Sequence, residues 1–142
     1  MKKDYINRMN VLQNQINIVL AKKYEDKIDN HLTAKQVLVL ELIKSGVRST
    51  KELAAHLEIS ASAVSQILNK LEDKFFIKRE LNKENRRETL LYLDQRAEDY
   101  FESLLKLEHE INEKVYEKLS IEDLQELVRI LEKLNNIILL EE

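Results

Sequence analysis

Tyr5, Met9, Leu12, Ile16, Leu20, Tyr24 and Ile28 recur at spacings of three and four, which predicts one apolar stripe along a long helix over residues 4–29. Thr33 and Gln36 then form a capping-box signature: the hydroxyl accepts an early backbone N–H and the glutamine returns the bond. Behind that cap, Val37, Leu38, Val39, Leu40, Leu42 and Ile43 point all round the cylinder, so the second helix is expected to be buried on most sides. Gly46 supplies its left-handed stop. Ser49 with Glu52 repeats the capping box and opens a short third helix whose inner face is Leu53, Ala54 and Leu57. After a turn over 58–60, Ser60 caps a fourth helix. Its stripe runs Val64, Ile67, Leu68, Leu71 and Phe75, and it ends near Lys74.

Helical spacing stops at Phe75. Residues 77–81 and 89–93 are short and rich in β-formers, and the polar stretch 82–88 between them reads as a hairpin with a basic tip. No Asn-Gly or Asp-Gly pair is present, so a loop longer than two residues is expected. Asp94 caps a fifth helix with the stripe Ala97, Phe101, Leu104, Ile111, Val115 and Leu119, about seven turns long. Ser120 with Asp123 opens a sixth, carrying Leu124, Leu127, Val128, Leu131, Leu134 and Ile138.

Composition narrows the class. A chain of 142 residues, 44% apolar and 35% charged, with one glycine and no proline, lacks the turn punctuation of a many-stranded fold. It is expected to be mainly α with a small β-hairpin wing. The absence of cysteine removes disulfides, zinc-thiolate sites and thiol chemistry. Nothing approaches an apolar run of about 18 residues, and the amino terminus leads into a polar amphipathic stretch, so a soluble, unexported, cytoplasmic protein with no membrane partner is expected.

The net charge of −3 argues against nucleic acid until its distribution is read. Eight cations face five acids over 1–47 and ten face eight over 48–96, whereas five face thirteen over 97–142, so all the excess acid lies in the last third. Lys74, Lys78, Arg79, Lys83, Arg86 and Arg87 stand against only Glu80 and Glu84 in the middle, a local basic cluster able to face phosphates.

The order helix, helix, turn, helix, basic hairpin over 33–94 is the layout of a winged helix-turn-helix, whose last helix enters the DNA major groove. At 100° per residue, Ser62, Gln66, Asn69 and Asp73 lie opposite the apolar stripe of the fourth helix, with Ser65 and Lys70 flanking. Short or planar donors and acceptors of this kind hydrogen-bond base edges, and glutamine pairs with adenine. An ordinary polar face is the other reading of the same residues.

Leu53-Ala54-x-x-Leu57-x-Ile59-Ser60, then Ala63-Val64-Ser65 and Leu71, and then Phe76-Ile77-x-Arg79, with Asn85-Arg86-Arg87 at the wing tip and Leu93 closing the hairpin, resemble the multiple-antibiotic-resistance regulator (MarR) family. Three positions depart from that pattern: Asn85 stands for the usual Asp, Asp94 for Thr and Ala97 for Gly. The resemblance implies a homodimeric, ligand-responsive transcriptional repressor that binds double-stranded DNA at a palindromic operator. It implies a wing arginine in the minor groove, which places Arg87 there with Arg86 and Lys83 beside it. It also implies a small-molecule effector cleft between the dimerisation helices and the core, with Tyr24, His31 and Tyr100 as lining candidates. A plain core role for the two tyrosines is the alternative.

Physical reasoning supports the dimer independently. A winged core of about 60 residues offers too little surface to cover three further amphipathic helices, and the run Ile137-Ile138-Leu139-Leu140 would leave an exposed patch on a monomer. The expected organisation is one composite domain: residues 1–32 a dimerisation helix, 33–96 the winged helix-turn-helix, and 97–142 the C-terminal dimerisation helices. No enzyme signature is present: the chain has no phosphate-cradling glycine loop and no cysteine nucleophile, and no cofactor is expected. Two rivals remain open at this level. One is a winged-helix module that binds protein and not DNA. The other is a metal-responsive regulator using His31, His109 and Glu113, although no His-x-x-x-His pair is present and the favoured reading has no metal site.

Overall fold

The computed structural model describes residues 1–28 and 31–141. Its described elements are α1 (Lys2–Tyr24), α2 (Ala34–Lys44), α3 (Thr50–Leu57), α4 (Ala61–Asp73), β1 (Ile77–Leu81), β2 (Thr89–Leu93), α5 (Gln95–Lys114) and α6 (Ile121–Leu140), with 3-10 turns over Glu25–Lys27 and Tyr116–Lys118. The fold is mainly helical with a two-stranded antiparallel wing, a winged helix-turn-helix as the hydrophobic pattern predicts. The chain forms two compact units, Met1–Leu104 and Leu105–Glu142.

Caps set the helix starts in the first unit. Thr33 Oγ1 accepts from the Gln36 N–H (3.1 Å) and Gln36 Oε1 accepts from the Thr33 N–H (2.9 Å), the complete capping box. Ser49 accepts from the Glu52 N–H, but the expected reciprocal bond is replaced: the Glu52 carboxylate accepts from the Arg48 N–H at 3.3 Å. Ser60 accepts from the Ala63 N–H and opens α4.

The ends of α2 and α4 share one device. The N–H groups of Gly46 and Val47 donate to the Ile43 and Leu42 carbonyls, and those of Phe75 and Phe76 donate to the Glu72 and Leu71 carbonyls. Both are Schellman closures around a residue of positive φ, +116° at Gly46 and +67° at Phe75. This corrects the expected α4 stripe: Phe75 leaves the helical conformation and is 69% exposed, and Phe76 takes the inward position, fully buried. A residue in the left-handed region points its side chain off the helical face, which periodicity alone does not register.

The core joins α2, α3, α4, the wing and the start of α5 through Leu40, Leu53, Leu68, Phe76, Leu91 and Phe101, among others. Leu38 on α2 is half exposed, so that helix is less enclosed than its all-round apolar pattern predicts. The wing pairs Ile77 with Leu93 through to Leu81 with Thr89. The Leu91 N–H donates to the Arg48 carbonyl at 2.8 Å, tying the chain just before α3 to β2.

Two helices are shorter than their stripes imply. α1 ends at Tyr24, where the ring turns inward, flanked by the Lys23 and Lys27 ammonium groups at 5.7 and 5.3 Å. A 3-10 turn follows, and Asp29, the expected end, lies outside the described residues. α5 ends at Lys114, because Val115 (φ −118°), a 3-10 turn and extended Leu119 are needed to bring Ser120 into position to cap α6. In a connection this tight, apolar residues continue the spacing without continuing the helix. On α6 Glu126 pairs with Arg129, whose hydrogen bond and charge hold the carboxyl below its usual range. No described residue of α6 is buried.

Candidate nucleic-acid interface

Four of the five α4 residues singled out from the sequence, Ser62, Gln66, Asn69 and Lys70, are exposed, and Ser65 is half-buried. The opposite side of the helix holds Val64, Leu68 and Leu71, all fully buried. The core thus fixes the helix's rotation and turns a row of hydroxyl, amide and ammonium groups to solvent.

The wing tip is built by side chain to backbone bonds. The Asn82 N–H donates to the Glu88 carbonyl and closes the loop at 3.0 Å. Asn82 Oδ1 accepts from the Glu84 N–H (3.0 Å), and Asn85 Oδ1 accepts from the Arg87 N–H (3.2 Å). These are Asx turns, in which an amide oxygen serves as well as a carboxylate, so Asn85 at this position keeps the loop's shape while adding no negative charge beside Arg87. Lys83, Arg86 and Arg87 are all exposed, and among the described residues no ion pair engages them. Three exposed cations on one loop, against Glu84 and Glu88, leave it net positive and able to attract phosphate.

A family model, MarR family, matches residues 32–89, which run from the start of α2 through α3, α4 and β1 to the first residue of β2. That segment is a MarR-family winged-helix region. Solved structures agree with the MarR fold over nearly the whole chain. YusO of Bacillus subtilis is 25% identical, with a TM-score of 0.73 over 95% of this chain and 94% of its own. Streptococcus pneumoniae FabT, solved in complex with DNA, is 18% identical with a TM-score of 0.72 over 97% and 99%. Staphylococcus aureus MepR, solved bound to ethidium bromide, is 20% identical with a TM-score of 0.71 over 91% and 95%. No curated protein matches the chain.

Within this MarR fold, sequence reasoning missed how the helix and the wing are joined. Arg79 on β1 donates from Nη2 to Asn69 Oδ1 at 2.9 Å, and its Nε lies 3.6 Å from the Glu72 carboxylate. The strand's period of two carried the signal: Arg79 shares the face of buried Ile77, so a charge there needs partners, and Asn69 and Glu72 are one helical turn apart on α4. Arg48 was missed too. Its Nη1 donates to the Ile43 and Val47 carbonyls (2.7 and 3.1 Å), capping the end of α2, and its guanidinium stacks 4.8 Å from the Tyr92 ring on β2.

The three expected cleft residues differ in setting. Tyr24 is buried, and its hydroxyl has no hydrogen-bond partner among the described residues. Tyr100 is buried at an edge-to-face contact with Phe101, and His31 is exposed. His109 and Glu113 form a surface pair on α5 at 3.2 Å, and among the described residues no three potential metal ligands cluster. No described helix is long and apolar enough to cross a membrane.

Proposed function

We propose that this chain is a cytoplasmic, sequence-specific DNA-binding transcriptional regulator that works as a homodimer on a palindromic operator and responds to a small-molecule effector. The observation that carries the reading is the pairing of two surfaces on one winged-helix unit: the outward row of α4 and the wing tip, whose three cations have no ion-pair partner among the described residues. In this reading Ser62, Ser65, Gln66, Asn69 and Lys70 meet the major groove. Lys83, Arg86 and Arg87 meet the backbone and the adjacent minor groove, where a narrow A·T tract concentrates negative potential. The DNA complex of the FabT structure supports it.

The dimer is supported by the uncovered apolar faces of α1 and α6, where Ile16, Val19, Ile137, Ile138 and Leu139 are each more than half exposed. The effector is supported by the buried, unpartnered hydroxyl of Tyr24, a group a ligand would satisfy, and by the ethidium complex of the MepR structure. Tyr100 and His31 complete the proposed cleft. The test is binding to duplexes recovered by selection from genomic fragments, measured against salt. A steep fall of affinity with salt is expected, with a slope of about −0.9 per phosphate neutralised. Capture of a protein partner with no salt-dependent duplex binding would overturn the reading.

A further inference from the structure

The amide of Asn69 is not free to choose how it faces DNA. Its Oδ1 accepts from Arg79 Nη2 at 2.9 Å. A guanidinium carries donors and no acceptor, so the oxygen, and not the NH2 group, must face Arg79. Arg79 is held in turn by Glu72, 3.6 Å from Nε, and Nε is itself buried and has no hydrogen-bond partner among the described residues. The guanidinium is thus set between two residues of α4, Asn69 and Glu72. The amide oxygen is turned towards the wing, and the exposed side of Asn69 presents Nδ2 and its two N–H groups.

We propose that Arg79 is a specificity-positioning residue that makes Asn69 a donor-only reader, directed at a base edge bearing acceptors, guanine O6/N7 or thymine O4. An unconstrained asparagine pairs bidentately with adenine, accepting from N6 and donating to N7, and that mode needs the oxygen to face the base, whereas Arg79 holds it towards the wing strand. The inference rests on the reading of α4 as the base-contacting helix and adds to it which half of one side chain is available. It also links the wing strand to readout in the major groove, since a residue of β1 sets the chemistry that α4 shows.

The test is selection from a randomised duplex pool with the full-length protein and three variants, Asn69→Asp, Arg79→Lys and Arg79→Met, each first checked for folding by thermal melting. The wild type should enrich G or T at one position of each half-site. Asn69→Asp, at an exposed position, keeps a partner for Arg79 but offers no N–H, so the preference at that position should vanish or pass to C. Arg79→Lys still presents donors to the oxygen and should keep G or T. Arg79→Met releases the amide and should move the preference towards A by about fivefold or more. If Arg79→Met does not fold, the Asp and Lys variants decide the matter. Enrichment of A by the wild type at the Asn69-dependent position overturns the proposal. So does an Asn69→Asp profile identical to the wild type, with DNA binding left standing in both cases. Failure of the wild type to enrich any duplex overturns the DNA-binding reading itself, and this inference with it.

Discussion

Phe75 occupies a backbone conformation ordinarily left to glycine, with φ +67° and a side chain 69% exposed. The left-handed region costs an L-residue about 1–2 kcal/mol, and a mostly exposed ring recovers little of that by burial. Replacing it with glycine relieves the strain, loses a minor contact and adds freedom to the unfolded chain, terms of similar size. Phe75→Gly should therefore leave stability within about 1 kcal/mol of the parent, while Phe76→Ala, one residue on, should cost about 3–5 kcal/mol. Urea unfolding of the two variants checks the contrast, and equal losses would remove the argument. Tyr24 offers a second case. Its hydroxyl is buried without a partner among the described residues, and an unsatisfied buried donor costs about 1–3 kcal/mol. Tyr24→Phe should accordingly be neutral or stabilise the free protein by about 1 kcal/mol, and a clear loss in the same assay would show that the hydroxyl is bonded.

At the scale of elements, what was legible in the chain was what local chemistry decides. Thr33, Ser60 and Ser120 cap the helices they were expected to cap, and both strands fall on the stretches 77–81 and 89–93. Two kinds of feature were not legible. Helix ends at Tyr24 and Lys114 depend on a ring turning inward and on the geometry needed to start the next helix, and apolar spacing contains neither. The bridge from Arg79 to Asn69 and Glu72 pairs residues from different elements, so it needed the packing of β1 beside α4 to become visible. The wing is the element whose role is most easily isolated. Since Lys83, Arg86 and Arg87 have no ion-pair partners among the described residues, removing two of them sacrifices no internal bond of their side chains. Arg86→Ala with Arg87→Ala should weaken operator binding broadly across sequences and lower the magnitude of the salt slope by about 1 per lost phosphate contact. The Arg87 N–H, which holds the Asx turn on Asn85, survives the change. Fluorescence anisotropy over a salt series reads both effects, and an unchanged slope would take the wing out of the interface.

For the whole molecule the main fact is apolar surface without cover. Ile121, Val128, Leu131, Ile137, Ile138, Leu139 and Leu140 on α6 are each at least half exposed, and no described residue of that helix is buried. Truncation after Ser120 should abolish the proposed dimer and, with it, tight operator binding, because two half-sites act through one effective concentration. Sedimentation decides, and a truncated chain that remains a soluble dimer would assign the interface elsewhere. The bare face of α6 also bears on what a melting temperature of this protein means. When subunits complete each other's core, unfolding and dissociation are one equilibrium, and mass action raises the apparent stability of the native form as protein is added, by about 1.4 kcal/mol per tenfold. Its thermal midpoint would then be a property of abundance as much as of sequence. A cell that dilutes such a regulator loses operator occupancy and folded protein together.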